Sequence, residues 1–316
     1  MTSQPASDTE ITRRRNRWRS APVFWAAFGA ACVLFQLYIF AVWALGGNAH
    51  ALPASRAPSD PARQILTRAV ELVVLIGIVI MALVCWSRSR ARHRVSLSAA
   101  LMTGYALTFW TSPYNSAVHH AAGHNRYDFN VVSWGPQLPG WHGPTPQIET
   151  FLMAGGYAWV ILWVWIALGI ATGLRRRTSW SRPRVIALTA LASMIFDLAF
   201  EFGYILVGGY AYPLALPHLT FFEGHWYQLP ITSALCMVTF ATLPVVAMTV
   251  YARDGQEVWL LEGTSALPQR IRPWVRLLAG SGYANAGMLA LQIVTLTTSL
   301  FSRPVTVGDW IYRPPN

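Results

Sequence analysis

The sequence is constrained first by a series of apolar stretches long enough to cross a hydrocarbon layer. A window of about 19 residues picks out segments near 22–45, 67–86, 97–112, 150–173, 184–207, 229–251 and 278–301. A bilayer core about 30 Å thick calls for about 20 apolar residues per helix, because each backbone N–H and C=O must find its partner within the segment. The expected fold class is therefore all-α, a polytopic transmembrane helical bundle of about seven spans. Six is the alternative count, since the third segment is short and the seventh carries Asn285 and Gln292. Composition agrees: 54% hydrophobic, 12% charged and a mean hydropathy of +0.36 are too apolar for an ordinary soluble domain.

All 24 cationic side chains are arginine. Their runs fix an orientation. With the N-terminus cytoplasmic, the inner segments hold Arg13 to Arg19, Arg88 to Arg94, Arg175 to Arg184, Arg253 and Arg270 to Arg276. Only Arg56, Arg63, Arg68, Arg126, Arg303 and Arg313 lie on or near the other side. That arrangement satisfies the positive-inside rule at every loop. The net charge of +11 thus sits beside apolar segments, where it sets topology and touches membrane lipid rather than nucleic acid. Cys32, Cys85 and Cys236 fall inside apolar segments without metal-ligand spacing and read as packing residues.

The expected organisation is a disordered basic tail over 1–21, one transmembrane domain over 22–301 and a C-terminal tail over 302–316. The first apolar run is kept as a helix: it is long enough to span, and Gly46-Gly47-Asn48-Ala49 is not a convincing cleavage site. Loops 46–66, 113–149 and 208–228 fall outside, rich in Pro, Gly, Trp, Tyr and His. The absence of an internal repeat disfavours a transporter built from inverted halves.

Acids at membrane depth are costly and usually face a bundle interior. Asp197 and Glu201 lie four residues apart in the fifth apolar segment, on one helical face. Two carboxyls so close in low dielectric cannot both ionise cheaply, so the pair offers an acid and a carboxylate together. They are the expected catalytic residues. Glu71, near the outer end of the second segment, reaches a similar depth, with Arg68 one turn before it. His119, His120, His124 and Asp128 resemble a metal set in composition, but HHxxxH in a Gly- and Asn-containing loop reads as a histidine run without metal. The aromatic stretches Phe109 to Asn115, Ser133-Trp134 and Leu138 to Trp141 suit a cover over an apolar substrate or a belt at headgroup level.

Several of these stretches together resemble the AveC-type spirocyclase family. They are Trp110 through Pro113 to Asn115, Ser133-Trp134 with Leu138-Pro139-Gly140-Trp141, and Asp197, Glu201 and Tyr204 on one helix. Gly209-Tyr210-Ala211-Tyr212-Pro213 and Tyr227-Gln228 with Pro230 complete the set. The resemblance implies a membrane cyclase/dehydratase of the bacterial inner membrane, acting on a lipophilic polyketide- or terpenoid-like molecule. Spiroketal closure passes through a hemiketal whose hydroxyl leaves as water, giving an oxocarbenium ion that a second hydroxyl attacks. Asp197 and Glu201 would serve as acid and ion stabiliser, with Trp110, Trp134, Asn115, Tyr204, Tyr212, Tyr227, Gln228 and Glu71 around the substrate. Those steps call for no metal and no other cofactor. The competing reading is a membrane carrier or lipid-binding protein that uses the acid pair for coupling.

Overall fold

The computed structural model describes residues 21–52, 60–143, 147–150, 156–253 and 256–312. The basic tail expected over 1–21 lies almost wholly outside them. Among the described residues eight α-helices form the bundle: α1 (Ala21–Leu45), α2 (Pro61–Ala91), α3 (Leu97–Ala106), α4 (Gly156–Arg177), α5 (Arg182–Leu206), α6 (Ile231–Cys236), α7 (Leu243–Tyr251) and α8 (Arg272–Ser299). A π-helical turn, Met237–Thr242, joins α6 to α7. Counting 231–251 as one rod, six helices are long and apolar enough to cross a membrane. Leu72, Val73, Ile76, Val79 and Ile80 of α2 and Leu34 and Leu37 of α1 are exposed, as side chains facing lipid would be.

The third expected segment behaves differently. Its α-helix has ten residues, a rise of about 15 Å, and a 3₁₀ helix over Phe109–Ser116 continues it after a break. Asn285 of α8 fills that break. Its Nδ2 donates to the Leu107 carbonyl (3.4 Å), while its Oδ1 accepts from Trp110 Nε1 (2.8 Å). An interrupted ladder at membrane depth needs such a partner. Asn285, which weakened the seventh segment as a span, is what the interruption requires.

Helices α1, α3 and α8 approach backbone to backbone. A Cβ on Gly282 would lie 2.0 Å from the Trp25 carbonyl oxygen, and one on Gly280 would lie 2.2 Å from that of Ala100. Small residues permit this contact. Where α6 meets α7, Pro244 has no N–H for the carbonyl four residues back. Beside it the Ala241 carbonyl accepts the hydroxyls of Tyr105 (3.2 Å) and Tyr283 (3.0 Å).

The all-α expectation omits nine short strands among the described residues: β1 (Ala51–Leu52), β2 (Gly123–His124), β3 (Asn130–Val132), β4 (Ile148–Thr150), β5 (Tyr210–Ala211), β6 (Leu214–Ala215), β7 (Thr220–Phe221), β8 (Leu229–Pro230) and β9 (Arg303–Pro304). Every pairing is antiparallel: β1 with β3 and β3 with β4, then β2 with β5, β6 with β9 and β7 with β8. Connections folded against a bundle must still satisfy their backbone groups, and neighbouring connections do so mutually. The pairings gather the three long loops and the segment after α8 into one cap. The other end is tied by Arg276, whose guanidinium binds Glu257 at 2.7 and 2.9 Å and whose Nε donates to the Val95 carbonyl.

Candidate functional site

Helix α5 turns one face inward at every fourth residue: Val185, Thr189, Ser193, Asp197, Glu201 and Ile205 are buried. The last two polar members are the expected acids. Asp197 Oδ1 accepts the indole N–H of Trp163 from α4 at 2.5 Å. The rings of Phe196 and Phe200 pack edge-on to that indole, at 5.8 and 4.8 Å between centroids. This carboxyl therefore sits in an aromatic setting with one fixed donor.

Glu201 is held by the cap. Its Oε1 accepts hydroxyls from Tyr210, Tyr212 and Ser233, the latter two at 2.5 and 2.9 Å. Burial first, then the charge of Glu201, push both phenols well above their ordinary value, so both remain donors. The second oxygen, Oε2, is sealed from solvent and has no hydrogen-bond partner among the described residues. A buried polar atom left open is uncommon in a folded protein and marks where a further group belongs.

The other expected residues fall into three neighbourhoods. Gln228 supports Tyr212 by donating from Nε2 to its carbonyl (2.8 Å). Tyr204 lies beside Tyr210 at 5.4 Å between rings. Tyr227 stacks on His225 and meets Phe202 and Phe222 of the same flank. Glu71 of α2 is buried, bound to Arg68 (2.5 Å) and to the backbone N–H of Phe129 (2.6 Å). Trp110 and Trp134 belong elsewhere. They pack with Ile39 of α1, Val131 and Leu138, and the indole of Trp134 donates to the Trp110 carbonyl at 3.0 Å. Their partners lie on α1, α8, the 3₁₀ helix and the 113–149 loop, whereas those of Asp197 and Glu201 lie on α4, α6 and the 208–228 loop. The carbonyl of Asn115 accepts the Ala121 N–H, which shapes the turn below the histidine run.

Two further acids complete the polar layer, and neither stood out in the sequence as a site residue in its own right. Glu149 of β4 is fully buried and accepts hydroxyls from Ser112 (2.6 Å) and Ser133 (3.0 Å). Burial raises its carboxyl to about 7, against the lowering effect of the two serines. His124 Nε2 lies 3.7 Å from it. Burial, with His120 nearby, lowers that imidazole to about 4, so at neutral pH a neutral ring faces the acid and no ion pair forms. Asp128 diverges from the histidines toward Glu71. Its two oxygens are buried without hydrogen-bond partners among the described residues. Burial and then Glu71 push it well above the usual carboxylate range, opposed by Arg68.

Strand register joins these groups. His124 stands opposite Tyr210 in the β2–β5 pair, so the strand that clasps Glu201 borders the one that carries the Glu149 neighbour. Asn125 then pins the loop, donating to Thr67 Oγ1 (3.0 Å) and the Gly208 carbonyl (2.7 Å). The one sequence signal available for Glu149 was an acid inside Gln147-Ile148-Glu149-Thr150, a run with no periodicity to flag it.

The class follows from this layout: a mostly helical protein with apolar outer faces compatible with membrane insertion, and with buried acids both on α5 and within the cap of paired loops. The family described as Spirocyclase AveC-like matches residues 92–313, well over half of the chain, and the protein belongs to that family. Membership suggests a cyclase-type enzyme. The matched span contains Asp128, Glu149, Asp197 and Glu201, while Glu71 precedes it. No curated protein and no solved structure matches the chain.

Proposed function

We propose that this protein is an integral-membrane, spirocyclase-like cyclase/dehydratase that closes a spiroketal, or eliminates water, on a lipophilic polyketide- or terpenoid-like substrate. It crosses the bacterial inner membrane seven times with its N-terminus in the cytoplasm, α3 and the 3₁₀ helix after it together making the third crossing. The gathering of the loops at one end and of Arg94, Arg272 and Arg276 at the other supports this orientation.

The carrying observation is Glu201: one oxygen clasped by three hydroxyls, the other buried and open, one helical turn from Asp197. An oxygen taking three donors suits a carboxylate, so Glu201 is assigned to the cation and Asp197 to the proton. A dihydroxyketone first closes to a hemiketal. Asp197 protonates the hemiketal hydroxyl, the C–O bond breaks and water leaves. The oxocarbenium ion is steadied by Glu201, and the second hydroxyl attacks the same carbon while losing its proton to a carboxylate. Water and spiroketal are the products, and proton transfers alone complete the cycle. In a dehydration the same base takes a proton from the neighbouring carbon instead.

The test is conversion of a synthetic lipophilic dihydroxyketone by the purified protein, read by mass spectrometry as loss of one water with closure of the spiroketal. Asp197→Asn and Glu201→Gln should each lower the rate by about 10²- to 10⁴-fold, the usual contribution of a positioned acid or base. Unchanged thermal unfolding would show that the fold survives. Full turnover in either variant overturns the assignment, and flux of an unaltered molecule across proteoliposomes that depends on Glu201 would favour the carrier reading.

A further inference from the structure

At the end of the bundle away from the acids, the turn between α2 and α3 meets the connection that leads into α8. A cavity of about 380 Å³ opens there, lined by Arg92, His93, Arg94, Ser265, Arg272 and Arg276. We propose that it is a binding site for a phosphate group presented by the headgroup of an anionic membrane lipid.

The floor is rigid and already neutral. Arg276 is buried, with both terminal nitrogens on Glu257 and a further donation to Thr264 Oγ1 at 2.6 Å. Arg94 shares Glu257 at 3.2 Å. Among the described residues Glu257 is the one carboxylate paired with the lining arginines, so beyond the Arg276–Glu257 pair the lining keeps three cationic charges, and Arg92 and Arg272 have no carboxylate partner. Arg272 reaches only the carbonyls of Ser265 (2.8 Å) and Leu267 (3.0 Å), and its Nε is sealed from solvent without a partner. A guanidinium held by backbone carbonyls rather than a carboxylate keeps its charge available to an anion in the cavity. His93, at φ 49°, makes the tight turn that brings Arg92 and Arg94 to the same rim.

The location selects the source of the phosphate. The cavity lies where α2 ends and α8 begins, and Trp86 and Trp274 near those two helix ends are exposed. Exposed indoles mark headgroup depth. A lipid phosphate arrives at that level with its acyl chains already in the bilayer, whereas a soluble anion would have to be captured from water against salt screening.

The experiment uses the full chain in neutral detergent, with thermal unfolding followed as phosphatidylglycerol, phosphatidylcholine or inorganic phosphate is titrated in. Phosphatidylglycerol should raise the unfolding temperature saturably, and phosphatidylcholine and inorganic phosphate should not. Arg92→Gln with Arg272→Gln should weaken the apparent affinity about 25-fold, from about fivefold per arginine near a membrane surface. Arg175→Gln with Arg177→Gln, at the same end but outside the cavity, should leave it unchanged. Arg92→Gln alone, at an exposed position, keeps the test valid if the double variant is unstable. Equal stabilisation by phosphatidylcholine, or an unaltered response in the cavity variants, overturns the site. Equal stabilisation by inorganic phosphate overturns the lipid as its source.

Discussion

Replacing Glu149 by Gln should make the protein more stable, by an amount that grows with pH. In the folded chain this carboxyl ionises near 7, while its ordinary value is 4.5. A raised folded value means that the unfolded chain releases its proton first as pH rises. The contribution is therefore fully favourable below about 4.5 and is lost on climbing to 7. At 1.36 kcal/mol per pH unit, that interval makes ionisation cost about 3 kcal/mol at pH 7 and above. Gln keeps the shape, accepts from one serine and never ionises, so the variant escapes the cost. Thermal unfolding in detergent between pH 5 and 8 should show wild type and Glu149→Gln close together at the acid end. They should separate by about 5 °C at the alkaline end. His124 acts in the opposite sense. Its value is depressed to about 4 from 6.5, so its stabilisation is present above 6.5 and is lost as pH falls toward 4. In wild type the two groups nearly cancel between 4.5 and 6.5, and the variant exposes the histidine alone. A wild-type-to-variant difference that stays constant from pH 5 to 8 would refute the placement of Glu149 in a sealed site.

Tyr212→Phe removes one of the three hydroxyls on Glu201, and a hydrogen bond to a charged group contributes about 1.5–3 kcal/mol. Turnover of the dihydroxyketone should fall about 10- to 100-fold and the unfolding temperature by about 2–5 °C, and undiminished turnover would count against Glu201 as the reacting carboxylate. Gly282→Val should force α1 from α8, because its first added carbon would lie 2.0 Å from the Trp25 carbonyl oxygen. Overpacking of this kind costs about 1–3 kcal/mol or more, visible as earlier thermal unfolding. The same substitution at Gly203, which has open space beside it, should be nearly silent.

The helices and the acid pair were legible in the sequence because both are local signals. A run of apolar residues announces a span by length, and Asp197 and Glu201 meet the four-residue spacing of one helical face. The partners of those acids were less accessible. Trp163 comes from another helix and Ser233 from a third, and no spacing links them to α5. Strands of two or three residues carry no alternation, so the cap, and with it Glu149, left no pattern to read. The third apolar segment, already short in the sequence, hid its interruption for a related reason: its run is continuous, and the break at Leu107 is visible only once Asn285 is seen to supply the missing bonds. Trp110 and Trp134 were grouped with the acids through the family resemblance, whereas packing draws them toward Ile39.

The glycines of this bundle are divided between two surroundings. Gly29, Gly104, Gly280 and Gly282 are used up where α1 and α3 each press backbone on backbone against α8. Gly169 and Gly173 of α4 and Gly203 of α5 face open space instead. The packed glycines therefore hold α8 in a fixed place, whereas Gly203 sits on the exposed side of α5, opposite the buried side that carries Asp197 and Glu201, so the acid face can stay fixed while that outer side is changed.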